Sequence, residues 1–336
     1  MFRRTAFRDA LALAATLLLS ATAHAQIFRS YLAPTGSDAN PCTLPAPCRL
    51  LPAALAAVAD GGEIWMLDSA NYNTATVNIT KSVTILAVPG AVGSILAIGG
   101  PAITVTSISP KLTLRNIVIV PLPGGGGTDG ITMTGGFALT LENCLIANMP
   151  GNGIVVSTPA TVRIVESTIR DNVGIGLQVD TGARAVISRS TFAGNIAIGI
   201  IAWGTGANTT TADITDSLIT GSSANVLALS THAAGIVNVS VSGSRLLRST
   251  TYGAHAESDA AASVSLSVTD STVTNAVNGI AASNSGTRVY VSGTSVSGSN
   301  ANAFLNSGGL FESAGNNSLR HNATDTTGTI TAAATK

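Results

Sequence analysis

From about residue 110 onward the chain repeats a short unit: a strand-like run with a small polar residue, a turn, then Gly or Asn before a second apolar run. Taking the polar residue as anchor gives Asn116, Asn143, Ser167, Ser190, Ser217, Ser244, Ser271, Thr294 and Ser318, at successive spacings of 27, 24, 23, 27, 27, 27, 23 and 24. The second run starts a near-constant distance later, at Ile154, Leu177, Ile200, Val226, Ala254, Ile280 and Phe304. Units this short, rich in Val, Ile, Thr and Gly, have no room for a helix pair, and the Leu-x-x-Leu-x-Leu pattern of a horseshoe is absent. Short strands joined by turns, one turn constant in length and the others variable, describe an all-β coil of parallel strands.

Composition narrows the partners. Hydrophobic residues make up 45% of the 336-residue chain and charged residues 10%, against about a quarter charged in average soluble domains. So much apolar side chain excludes a disordered chain, and the surface must be coated by Ser, Thr, Asn and Gly. Basic and acidic residues number 17 each, so no broad field attracts polyanions and nucleic acid is not an expected partner. Residues 1–25 read as a signal peptide, with Arg3, Arg4 and Arg8 as the basic start, Leu11 to Leu19 as the apolar stretch and Ala23-His24-Ala25 as the cleavage site. Export to the periplasm or the extracellular space is expected. The charge-free run from Ser82 to Pro110 is long enough to span a bilayer, but Pro89, Gly90, Gly93, Gly99, Gly100 and Pro101 cut it into strand-length pieces, so no membrane span is expected in the mature chain.

Cys42 and Cys48 stand six apart, and an exported chain meets oxidising conditions. A disulfide between them is expected, two free thiols being the alternative, and the loop offers too few ligands for a structural metal. Cys144 lies in an apolar run and reads as a small buried hydrophobe.

With these features the chain resembles right-handed parallel β-helix proteins of the pectate-lyase-like superfamily. The segment from Tyr31 to Arg49, with Gly-Ser-Asp-Ala-Asn-Pro-Cys before a second Cys, followed by an Ala-rich helix and Gly-Gly-Glu-Ile, is similar to the start of many exported bacterial β-helix proteins. The likeness covers about residues 27–325. It implies fold and export but leaves activity open, because the superfamily includes lyases, hydrolases, esterases, epimerases and adhesins. The expected organisation is a capping segment over 26–62 with the disulfide loop and a helix, a right-handed parallel β-helix solenoid over 63–325, and a polar tail over 326–336. The helix, over residues 50–60, should present Leu51, Leu55 and Val58 on one face, cover the first coil and end at Gly61-Gly62.

In stacked coils equivalent positions lie about 4.8 Å apart, so columns carry the chemistry. Five residues past the anchors stand Asn148, Asn172 and Asn195, expected as an asparagine ladder. One residue before them stand Arg115, Glu142, Glu166 and Arg189, which would stack Glu142 on Glu166. Two carboxyls near 5 Å suit a retaining glycosidase, and two acids beside Arg189 suit a lyase. A charge-compensated surface ladder is the competing reading.

Superfamily enzyme motifs are mostly missing. The chain has no Asp-Asp pair, none of His232, His255 and His321 lies between glycines, and Asp129, Asp171, Asp180, Asp213 and Asp216 fall at unrelated phases. No metal site or cofactor is expected, with calcium arising only under a lyase reading. Of the aromatics, Phe137, Phe192, Phe304 and Phe311 read as core. Trp65, Tyr72, Trp203, Tyr252 and Tyr290 remain as sugar contacts, with Trp203 before a long turn as the leading platform. Two functions stay open: a non-catalytic exported scaffold binding a polysaccharide or cell-surface component along a β-face, or a polysaccharide lyase or glycoside hydrolase with an unmatched site.

Overall fold

The computed structural model describes residues 26–333 apart from residue 260; the expected signal peptide and the last three residues of the tail lie outside them. Three parallel sheets run the length of the molecule. We call them A, B and C in the order the chain visits them within a coil; they contain 13, 11 and 11 strands. Every strand pairs in parallel with its equivalent one coil away, for example Ala138–Glu142 with Lys111–Arg115 on one side and Thr161–Val165 on the other. The antiparallel hairpins that would have refuted the repeat reading are absent from all three ladders among the described residues. Alternate residues point inward, and Val, Ile, Leu and Ala fill one continuous core.

From Ile117 on, the corner register shows two coil lengths. Aligned residues at the corner between sheets A and B are Ile117, Cys144, Ser167, Ser190, Ser217, Ser244, Ser271, Thr294 and Asn317, at spacings of 27, 23, 23, 27, 27, 27, 23 and 23. The first two anchors and the last were therefore displaced by one residue. The four extra residues of the long coils lengthen strands as well as loops: sheet C strands grow from Leu177–Asp180 to Ile198–Gly204 and sheet A strands from Arg184–Ser188 to Thr209–Thr215. The solenoid is wider through its middle.

Before every member of that column except Asn317 the coil turns through a left-handed residue: Asn116, Asn143, Glu166, Arg189, Asp216, Gly243, Asp270 and Gly293, with φ from 47° to 59°. This bend lets the next residue turn its side chain inward as a buried hydroxyl. Ser167, Ser190, Ser217, Ser244 and Ser271 each donate to the carbonyl two residues back, at 2.7–2.9 Å. Each also accepts the backbone N–H of its equivalent in the preceding coil, at 3.1–3.2 Å. Thr294 continues the ladder and the Asn317 amide oxygen ends it, accepting from Thr294 N–H at 2.8 Å. Cys144 occupies the first rung of this series, its Sγ 3.4 Å from the carbonyl of Glu142; it is buried as expected, and burial pushes its thiol up to about 11. Glycine at one left-handed position is steric as well as conformational, since a Cβ on Gly243 would sit 2.6 Å from Asp216 Oδ1.

The first coil is closed as expected in kind but over a shorter span. The helix runs Leu51–Ala57 with Pro52 in its first turn, burying Leu51, Ala54 and Leu55. Val58 is fully buried but begins the strand Val58–Met66, so Gly61 and Gly62 lie inside a strand instead of ending the helix. That strand pairs with Ile27–Leu32, and its irregular register between Ile27 and Arg29 absorbs the two glycines. Cys42 and Cys48 are joined, both buried. At the other end, strands Thr324–Thr327 and Ile330–Ala332 continue sheets C and A, so the coil extends into the segment expected as a tail.

The hydroxyl ladder predicts a specific stability pattern. Ser217→Ala leaves the buried N–H of Ser190 without its acceptor and should cost about 1–3 kcal/mol in urea unfolding. Ser263→Ala, at an exposed strand position, should change stability by less than about 0.5 kcal/mol.

Candidate functional site

The two acids singled out in the sequence do not stack. Glu142 ends its sheet A strand and pairs in register with Arg115 and Val165, whereas Glu166 stands in the left-handed corner column between Asn143 and Arg189. Glu142 is held between two arginines, Arg115 Nε at 2.7 Å and Arg163 Nη1 at 2.8 Å. Glu166 accepts from Arg189 Nε at 3.0 Å on the open surface. The two carboxylates share no guanidinium partner and stand apart in surface ion pairs. Arg163 escaped sequence reading because it lies two residues from the strand end, in a column apart from the anchors.

The same one-residue shift corrects the asparagine ladder. Asn172 and Asn195 are fully buried and linked, Asn172 Nδ2 donating to Asn195 Oδ1 at 2.8 Å, and Asn195 Nδ2 to the Ile169 carbonyl at 3.1 Å. The residue stacked on them is Met149, whose N–H donates to Asn172 Oδ1 at 3.0 Å. Asn148 instead turns the corner with positive φ beside Asp171.

The aromatics divide differently from expectation. Phe192, Phe304 and Phe311 are core, but Phe137 is 58% exposed under Lys111. Tyr72 is fully buried, its hydroxyl donating to the Asp68 carbonyl at 2.7 Å, so it is no surface contact. Trp65 lies beneath Arg29 and edge-on to Tyr31 near the cap. Trp203 is half-buried on sheet C, its Nε1 donating to Thr231 Oγ1 at 3.0 Å.

The best-formed concavity is on the outer face of sheet A, over the widened coils. It is a groove of about 460 Å³ along the coil axis. One column of its floor runs Arg184, Thr211, Asn238, Ser265 and Arg288; the next runs Asp213, Ser240, Ser267, Tyr290 and Glu312. Short side chains in the middle leave the depression, and Arg184 at one end with Arg288, Tyr290 and Glu312 at the other raise its ends. Ser240 donates to Asp213 at 2.7 Å. Tyr290 is 38% exposed and supplies an aromatic face. The groove acids Asp213 and Glu312 stand four coils apart, about 19 Å, well beyond the 5–9.5 Å used by paired glycosidase carboxylates. Among the described residues no three His, Cys, Asp or Glu side chains gather as a metal cage, and no helix is long and apolar enough to cross a membrane.

A family description, right handed beta helix region, matches residues 94–216. Several solved structures share the whole architecture. Pectate lyase Pel9A superposes with a TM-score of 0.62 at 14% identity, covering 86% of this chain and 78% of its own. The chain folds as a right-handed parallel β-helix. The A-module of mannuronan C-5 epimerase AlgE6 from Azotobacter vinelandii matches this β-helix at TM-score 0.55 and 12% identity, over 84% of this chain and 95% of the module. The Dettilon tailspike protein matches at 0.53 and 12%, over 88% of this chain and 68% of the tailspike. At these identities the likeness is one of fold. No curated protein matches the β-helix in sequence.

If Glu142 serves only in surface ion pairs, Glu142→Gln should lower stability by less than about 1 kcal/mol, and salt should shrink the difference. Denaturant titrations at low and high salt check this.

Proposed function

We propose that this β-helix is an exported scaffold that binds a polysaccharide along the sheet A groove without cleaving it. The observation that carries the reading is the groove itself: a straight trough several coils long, floored by Thr, Asn and Ser and ended by Arg184, Arg288 and Tyr290. Its polar floor offers hydroxyl and amide partners at a regular spacing of about 4.8 Å, a lattice suited to a linear chain of repeating polar units. Tyr290 supplies the face on which a sugar ring stacks. The separation of Asp213 from Glu312 and the private guanidinium partners of Glu142 and Glu166 support binding over two-carboxylate cleavage. Structural neighbours that include a pectate lyase and a mannuronan epimerase favour a carbohydrate over a protein ligand, and the disulfide fits an exported protein. Trp203, on a different sheet, takes no part in this reading.

A glycan array followed by calorimetry on the best ligand tests it. Tyr290→Ala and Arg288→Ala should each weaken binding about tenfold or more while melting temperature holds, and the double variant Glu142→Gln, Glu166→Gln should bind like wild type. Depolymerisation of the ligand by wild type, lost in that double variant, would overturn the proposal.

A further inference from the structure

On sheet C, a different face from the groove, neighbouring strands bring three chemically complementary side chains together. Strand Tyr252–Ser258 places His255 and Glu257 on its outer side, and Glu257 pairs in register with Ser283 of strand Asn278–Ser283. His255 is only 5% exposed. Its Nε2 lies 2.9 Å from Ser283 Oγ and its Nδ1 3.9 Å from Glu257 Oε2. The imidazole stacks on Tyr252 with ring centroids 4.0 Å apart and planes 19° from parallel, which holds the ring in the plane of both partners.

We propose that Ser283, His255 and Glu257 form a nucleophilic site that takes acyl groups from esters with an apolar acyl part. Ser283 donates its hydroxyl hydrogen to Nε2, which requires the ring proton on Nδ1, facing Glu257. At 3.9 Å the Glu257 carboxylate is too far for a hydrogen bond and acts as the charge that stabilises the imidazolium formed during attack. Ser283 and Glu257 are partly exposed while His255 is not, so an ester reaches the hydroxyl without hydrating the base.

The acyl preference comes from the strands alongside. Leu227 and Leu229 pair in register with His255 and Glu257, and Ile201 and Trp203 pair with those leucines one coil further on. This apolar strip runs about 10 Å from the imidazole. A mostly polar cavity of about 250 Å³, lined by Leu229, Thr231, Glu257, Asp259 and Asn284 among others, opens beside it at the end of the strip and leaves room for the alcohol part of the ester.

In the reaction, Ser283 Oγ attacks the ester carbonyl carbon and its proton passes to His255 Nε2. The bond from that carbon to the alkoxy oxygen then breaks, and the alcohol leaves with the proton from Nε2. Water repeats the sequence, releasing the carboxylic acid and restoring Ser283. The nearby Asn284 donors are already committed, the backbone N–H to Ser307 at 3.1 Å and Nδ2 to Ser258 at 2.7 Å. An oxyanion donor is worth about 10²–10³ in rate, so turnover is slow and the covalent adduct is the right readout.

Burial lowers the His255 pKa to about 4. The ionisable groups facing it are Tyr252 and Glu257 of its own strand, while the flanking strands set Leu227 and Ala281 against it. The base is therefore neutral throughout the physiological range.

The experiment is reaction of the purified protein with an alkyl fluorophosphonate, read by peptide mass spectrometry. One equivalent should appear on Ser283 and none in Ser283→Ala. His255→Gln should slow labelling about a hundredfold, and the surface variant Glu257→Gln should slow it in the same direction if His255→Gln fails to fold. The rate should stay level from pH 8 to 5 and fall near pH 4, and Leu229→Ser should slow a decyl probe more than an ethyl probe. Absence of an adduct on Ser283, or equal labelling rates in wild type and both His255 and Glu257 variants, would overturn the proposal. These outcomes are independent of glycan binding on sheet A.

Discussion

The buried hydroxyl ladder at the corner between sheets A and B is the interaction on which the coil stack depends. A parallel sheet satisfies its backbone groups along each strand, but the left-handed bend at the corner turns one N–H per coil away from the regular ladder. In apolar surroundings an unpaired N–H costs about 1–3 kcal/mol, and the same debt would recur at every coil. A Ser or Thr hydroxyl just after the bend settles it within the stack, since each is donor to its own strand end and acceptor for the coil before. The requirement is strict in shape: small, polar and inward. It is why the most regular feature of the sequence is a serine and not an apolar residue.

With the corner fixed, extra residues enter elsewhere: the coil from Ile117 to Cys144 takes them in the loop between Pro121 and Ile131, and the later long coils take them on either side of the loop between sheets C and A. The long coils, from Ser190 to Ser271, carry seven-residue strands on both of these sheets. On sheet A the short side chains of the Thr211, Asn238 and Ser265 column floor the groove along these coils. On sheet C the outward column containing Trp203, Leu229 and Glu257 runs through the same coils, and the His255 cluster forms beside it.

The repeat, the parallel architecture, the helical cap and the disulfide were legible because each rests on local chemistry: spacing, turn residues, an apolar helical face and paired cysteines. What failed was register by one residue. The small polar residues Asn116 and Asn143 look like anchors, yet they are bend residues, and Cys144 fills a serine position without looking like one. Two spacings of 24 among values of 23 and 27 were the signal, and a one-residue slip moves every side chain of a strand to the other face. This single displacement stacked Glu142 on Glu166 and admitted Asn148 to the asparagine ladder. Arg163 and the Ser283 partner of His255 were missed because they meet their partners only across coils, and Tyr290, one of the aromatics left as sugar contacts, ranked behind Trp203 in the sequence. His255 and Ser283 lie 28 residues apart, so no linear motif could pair them.

Native-state hydrogen exchange tests the central claim most directly. The backbone amides of Cys144, Ser167, Ser190, Ser217 and Ser244, each bonded to a buried hydroxyl one coil on, should exchange only through large-scale unfolding, as slowly as the inward strand amides of sheet A. Exchange of these five amides at the rate of exposed turn amides would contradict it.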